Sequence, residues 1–282
     1  MGITDTLNIE VNFKKAAALV NEGNELAAIQ IYKKLLTQKE SERNATIKLA
    51  DLYDQSGNRK SAIDLFNSYL NRNSDDEEVI KLVSYYLVRN SLFNEASKFI
   101  SKYESVKDEN MEFLKGVVSF HIKDFRKSLN IFNDFLRDYI SSELSASVLF
   151  YISKIYLINN QFEDAQKAIK SSIERSPNNA ETYKIEAEIY FKKEMYFHAN
   201  ESISKALKLN PSVIEWRHFQ IKILVLFDEI YKAEEKLLNI MDNSDSSAEL
   251  LHLLGNWHLK NKDVPIANKY FAKAKGINPN IL

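Results

Sequence analysis

The chain has 282 residues, no cysteine, 38 basic and 39 acidic side chains, and a formal net charge of −1. There is no basic surplus of the kind nucleic-acid binders use against phosphate, and no thiol for disulfides or zinc-thiolate sites. No apolar run approaches the ~20 residues needed to span a bilayer. Six glycines and four prolines leave no room for a flexible linker, and 45% apolar residues is ordinary for a soluble chain.

Reading from the N-terminus, Met1-Gly2-Ile3-Thr4-Asp5-Thr6 matches the myristoylation pattern, although a start methionine followed by glycine explains it equally. No charged-then-apolar leader is visible, which points to the cytoplasm. Residues 1–8 read as an N-terminal segment. Thereafter one element recurs. Ala28, Ala62, Ala96, Ser128, Ala165, Ala199, Ala233 and Ala267 are spaced by 34, 34, 32, 37, 34, 34 and 34 residues. Four residues after each stands a large apolar side chain: Tyr32, Phe66, Ile100, Phe132, Ile169, Ile203, Leu237 and Phe271. Twelve before it stands Ala16, Ala50, Ser84, Gly116, Ser153, Ala187, Ile221 or Gly255, small in every case but Ile221. Small and large residues four apart share one helix face, so a small residue on each of two helices lets them approach while the large one fills the gap.

The punctuation keeps the same step. Turn residues separate two helices per unit at Gly23-Asn24, Ser56-Gly57-Asn58, Asn90-Ser91, Lys123-Asp124, Asn159-Asn160 and Lys262-Asp263. Pro177, Pro211 and Pro279 each follow their alanine by twelve residues and close a unit. Pro265 falls at the start of a second helix, where its missing N–H does no harm. The predicted units are 9–42, 43–76, 77–108, 109–145, 146–179, 180–213, 214–247 and 248–281.

The pattern resembles the tetratricopeptide repeat, a 34-residue helix–turn–helix unit. The last unit carries the resemblance through Leu251, Leu254-Gly255, His258 in place of the usual tyrosine, Ala267, Phe271, Ala274 and Pro279. The sixth carries it through Tyr183, Ala187, Tyr190, Ala199, Ile203, Ala206 and Pro211. The resemblance implies an all-α, right-handed α-solenoid of about eight repeats over 9–281, with first helices lining a concave groove. The fourth unit departs from the pattern: Glu112 stands where a large apolar residue belongs, Ser119 replaces the tyrosine, and about three extra residues fall near Ser142-Glu143-Leu144.

Nothing in the sequence forms a catalytic constellation, a phosphate loop or a metal-binding motif, so the chain reads as a non-enzymatic scaffold without a cofactor. His218 and His252 share a column, but two imidazoles without a carboxylate or thiol make a poor metal site. The sequons at Asn44 and Asn200 are no more than chance supplies in an asparagine-rich chain. On the groove side, the N-terminal third offers Glu10, Phe13, Lys14, Ala17, Asn44, Lys48, Asp51, Asp54, Lys81, Tyr85 and Arg89. Phe13 and Ala17 stand where relatives place a carboxylate-gripping Lys–Asn pair, so a chaperone-tail clamp is not expected.

The predicted peptide-binding groove lies in the middle, at Phe113, Val117, Phe120, Phe150 and Tyr151, with Lys154, Lys184 and Lys222 steering acidic flanks of a partner peptide or amphipathic helix. The alternative is that the irregular fourth unit uses these apolar side chains for packing between repeats. The chain stops where a capping helix would start, so the expectation is either that it is a piece of a longer protein or that its end stacks on another copy through Ile266, Tyr270 and Phe271. Protein interaction is therefore the expected function, with a self-assembling homo-oligomer as the alternative.

Overall fold

The structure, a computed structural model, describes residues 3–240 and 244–281; Met1-Gly2 and Leu282, which bear on the lipidation pattern and the chain end, lie outside them. Among the described residues there are sixteen helices and no strand. In chain order they are α1 (Ile3–Asn21), α2 (Glu25–Leu35), α3 (Lys39–Gln55), α4 (Arg59–Leu70), α5 (Glu77–Arg89), α6 (Phe93–Lys102), α7 (Glu109–His121) and α8 (Phe125–Asp138). Then follow α9 (Ser145–Ile158), α10 (Phe162–Arg175), α11 (Ala180–Lys192), α12 (Tyr196–Leu209), α13 (Ile214–Leu226), α14 (Ile230–Ile240), α15 (Asp245–Lys260) and α16 (Val264–Ile277). Each odd-numbered helix is the first of a predicted repeat and each even one the second. Residues 3–8 of the predicted N-terminal segment are helical and belong to α1, because no proline or glycine interrupts the sequence between Ile3 and Asn21.

The chain forms two compact units, Met1–Ile122 and Lys123–Leu282, and their boundary falls inside the fourth repeat. In the first unit each helix packs on its neighbours in sequence, and α5 also packs on α7. In the second unit the same rule holds, with α9 touching α11 and α13 touching α15. Contacts between successive first helices, on top of the hairpin contacts, are what stacking repeats requires.

Burial follows the columns. Ala28, Ala62, Ala96, Ser128, Ala165, Ala199, Ala233 and Ala267 are all 0% exposed. So are Ala16, Ala50, Ser84, Ser153 and Ala187 in the facing column. Where serine replaces alanine its hydroxyl must find an acceptor: Ser153 Oγ donates to the Ala165 carbonyl at 3.1 Å, joining the two small columns directly.

The turn between the two helices of each repeat is equally periodic. Gly23, Gly57, Ser91, Lys123, Asn160, Glu194, Asp228 and Lys262 all have φ between 58° and 78°, and each lies five residues before its column alanine. This left-handed residue ends the first helix, and the next backbone N–H reaches back to the carbonyl nine residues before the alanine, as in Asn58 N to Tyr53 O at 2.7 Å and Asp263 N to His258 O at 2.9 Å. Asn24, Asn58, Asp124 and Asp263 then cap the second helix with their side chains. The extra residues of the fourth repeat lie in the loop before α9, tied down by Ser145 Oγ to the carbonyls of Tyr139 and Ile140, both at 3.2 Å.

Gly255 tests the close-approach requirement. A Cβ there would lie 2.5 Å from Cε1 of Phe271. Gly255→Ala is therefore expected to destabilise the second unit by about 1–3 kcal/mol, read as a lower urea midpoint by circular dichroism, with Gly276→Ala, which meets nothing, as the neutral or stabilising control.

Candidate functional site

The predicted groove residues fall in both units. Phe113, Val117 and Phe120 lie on α7 of the first. Val117 is 4% exposed and Phe120 8%, so neither offers an open binding surface, and their assignment to an open groove is corrected. The physical reason is that Gly116, Val117, Val118, Ser119 and Phe120, five consecutive residues of α7, are all buried, with Met111, Leu114 and Val118 entering the core of the first unit. Phe113 is half-buried.

In the second unit Phe150, Tyr151 and Lys154 come together on α9. Tyr151 is half-buried, its ring 5.6 Å from that of Phe132 and 5.6 Å from that of Phe150. The Lys154 amine lies 5.2 Å from the Phe150 ring centroid and 5.7 Å from that of Tyr151. Burial, followed by repulsion from Lys184, lowers the Lys154 pKa from its ordinary value. Lys184 pairs with Glu188 at 2.8 Å, and the exposed Lys222 sits 5.7 Å from the Phe191 ring.

The self-association residues divide. Ile266 is exposed. Tyr270 and Phe271 are half-buried and engaged within the last repeats: the Tyr270 hydroxyl donates to Glu234 at 2.7 Å, its ring stacks on His258, and Phe271 packs against Gly255 and His252. Burial and the Glu234 carboxylate both raise the Tyr270 pKa. Among the described residues no group of three potential ligands could hold a metal ion, and no helix is long and apolar enough to cross a membrane. His218 keeps Nε2 buried without a hydrogen-bond partner, and His252 Nδ1 contacts Asn256 at 3.3 Å.

Several charges placed in the N-terminal groove serve instead to tie repeats together. Asp54 accepts from the Tyr86 hydroxyl and from Arg89, each at 2.9 Å. Lys81 pairs with Asp108 at 2.6 Å. Arg43 bridges to Asp76 and Glu78, and Tyr69 donates to Asp76 at 2.7 Å. These bonds link α3 to α5 and α5 to the start of α7. Burial alone would raise the Asp76 and Asp108 pKa values, but for Asp76 the Tyr69, Val79 N–H and Arg43 donors outweigh it, and for Asp108 Lys81 and the N–H groups of Met111 and Asn110 do so; both end below 3.8. Burial and the Asp54 hydrogen bond push Tyr86 up to about 12.

Sequence reasoning passed over a pocket that α1, α2 and α3 of the first unit form. It measures about 400 Å³ and is walled by Phe13, Ala17, Val20, Tyr32 and Leu52, with Lys14, Asn21, Lys48, Asp51 and Gln55 at its polar edge. Small Ala17 on α1 leaves the space. Burial raises the Asp51 pKa, against Lys48 and Arg89, which lower it, while Asp54 adds to the rise. The signal was present in the sequence, since Phe13, Lys14, Ala17, Lys48 and Asp51 all belong to the groove columns.

Residues 19–84 match the family model of the tetratricopeptide repeat. This is a tetratricopeptide-repeat fold. The C-terminal part of a TPR repeat-containing protein from Cytophaga hutchinsonii is similar with a TM-score of 0.64 at 14% identity, over 83% of this chain and 96% of that one. A tetratricopeptide repeat protein from Parabacteroides merdae gives 0.58 at 12%, over 88% and 94%. YrrB, described as a TPR protein with an unusual peptide-binding site, gives 0.55 at 15%, over 67% and 93%. No curated protein matches the sequence.

The depressed carboxylates fix a sign. An acid whose folded pKa lies below its unfolded value contributes stability above the unfolded value and loses it as pH falls through the folded one. The urea midpoint should thus fall as pH drops past 3.8. Asp76→Asn with Asp108→Asn, which keeps both helix caps, should make that fall shallower and lower the midpoint at pH 7.

Proposed function

We propose that the chain is a protein-interaction scaffold whose first helices capture a segment of a partner protein. Tetratricopeptide repeats generally mediate protein–protein interaction, and the similar YrrB fold carries a peptide-binding site. The observation that carries the reading is the pocket of about 400 Å³ between α1 and α3 of the first unit. Its apolar wall takes one large side chain of a peptide, and Lys14 and Lys48 at the edge favour carboxylates beside it. In the second unit the Phe150–Lys154 strip, with Lys184 and Lys222, is a further contact of the same kind, in which aromatic faces take apolar groups and the amines take acidic flanks.

Ala17→Trp fills the pocket from an exposed helix position. Peptides selected from a random display library against the wild-type chain should lose about tenfold or more in affinity for this variant, with the helical signal unchanged. Equal affinity of both proteins for every selected peptide would remove the pocket from the reading, and a parallel loss in Lys154→Glu would place the contact on the second unit.

A second reading, assembly with another copy, has Leu259, Val264 and Ile266 in its favour: all three are exposed apolar residues at the turn between α15 and α16. It predicts a mass that rises with concentration in light scattering and falls back in Ile266→Lys; the mass of one chain at every concentration would rule it out.

A further inference from the structure

The second unit holds another cavity, of about 390 Å³, bounded by α12, the turn after it, α13 and α14. Three cationic side chains from three helices line it: Lys208, Arg217 and Lys236. No carboxylate lines it among the described residues, and neither Lys208 nor Lys236 makes an ion pair there. By contrast, Arg43, Lys81 and Arg89 of the first unit are each held by an acid at another helix. Ser204 and Asn239 add neutral donors, and Leu207, Pro211 and Ile240 add an apolar side.

The arginine is the telling residue. Its Nε donates to the Pro211 carbonyl at 3.0 Å, and its Nη2 donates to the same oxygen. In the preceding repeat the same column holds Tyr183, whose neutral hydroxyl donates to the Pro177 carbonyl at 3.0 Å. The structural task at this column therefore needs one donor and no charge. Arg217 does that task and adds a permanent positive charge with further N–H groups in a fixed plane. A buried residue orders the opposite wall. Gln220, 6% exposed, donates through Nε2 to Ser204 Oγ at 2.8 Å and to Asn200 Oδ1 at 3.2 Å. Ser204 Oγ accepts from that amide, so its own proton is left to donate elsewhere. Lys208 also lies in the last turn of α12, where a cation complements the helix dipole; that accounts for one of the three charges and not for Lys236 or Arg217.

We propose that this cavity binds a phosphoryl group carried on a small organic body. Three cations with hydroxyl and amide donors match a dianion with several acceptor oxygens better than a single carboxylate. The volume lies within the range of about 300–1,000 Å³ of small-ligand sites, which leaves room beyond the phosphoryl group for a body resting on Leu207, Pro211 and Ile240. The phosphoryl group comes either from a free metabolite or from a phosphorylated side chain of a partner protein. The site shares no residue with the pocket of the first unit, so its failure and the failure of the peptide-capture reading are separate results.

Isothermal titration at low salt with inorganic phosphate, phenyl phosphate and benzoate tests it. Saturable one-site binding is expected, with phenyl phosphate tighter than inorganic phosphate because of the apolar side, and benzoate weakest. Lys208→Gln with Lys236→Gln, both exposed positions, should lower phenyl phosphate affinity about tenfold or more. Lys205→Gln, on the same helix as Lys208 but with its amine 5.7 Å from the Tyr183 ring of α11, should leave it unchanged. Non-saturable heats with both phosphates, equal binding by the double variant, or an equal loss in Lys205→Gln would each overturn the proposal. A short phosphotyrosine peptide separates the sources: tighter binding than phenyl phosphate, lost on dephosphorylation, assigns a modified protein, and equal or weaker binding assigns a free metabolite.

Discussion

Close approach of two helix backbones is the constraint on which the rest of this structure depends. Every repeat but the seventh, where Ile221 stands in the facing column, brings a first and a second helix together at a pair of small residues, and every column alanine from Ala28 to Ala267, with Ser128 in the fourth place, is fully buried. Dispersion contacts fall off steeply with distance, so one extra methyl group at such a crossing changes the packing of the whole hairpin. Gly255 beneath Phe271 is the tightest case. The left-handed residue five positions earlier sets the angle at which the second helix leaves, and it recurs in all eight repeats although only Gly23 and Gly57 supply it with glycine. The Schellman hydrogen bonds and the packed hairpin hold Asn160, Glu194 or Lys262 in a conformation that L residues otherwise avoid.

Charge is allocated by that stacking. In the first unit, Asp54 on α3 accepts from α5, Asp76 at the start of α5 accepts from α3 and α4, and Asp108 at the start of α7 accepts from α5. Such pairs are individually weak where exposed, but they sit at the junction of successive first helices and share buried tyrosine hydroxyls, which fixes their geometry. A cation held this way is a structural group. A cation that no acid answers among the described residues, such as Lys208 or Lys236, has a charge that the packing there does not use.

The two pockets follow from departures within an otherwise uniform pattern. Ala17 is small at an outward position of α1, and space opens between α1 and α3. Arg217 stands where its neighbouring repeat has a tyrosine, and a cavity bounded by α12, α13 and α14 gains a positive wall. In a repeat protein the shared columns specify the fold, and the positions that break step are free to specify a ligand.

The period, the two helices per repeat, the buried small columns and the placement of prolines in turns were all legible in the sequence, because close packing imposes the same residue size at the same step eight times. The turns at Glu194 and Asp228 were not, since a left-handed residue without glycine leaves no mark in composition. Which apolar residue faces outward was not legible either. Val117 and Phe120 sit on positions that point away from the hairpin in a regular repeat, but in α7 they are buried together with Gly116, Val118 and Ser119, and burial is decided by neighbours distant in sequence. The same holds for charge: Lys81, Arg89 and Lys14 look alike along the chain, and only the tertiary structure, by bringing Asp108 to the first and Asp54 to the second, decides that these two are bound between repeats while Lys14, paired only with Glu10 on its own helix, borders a pocket.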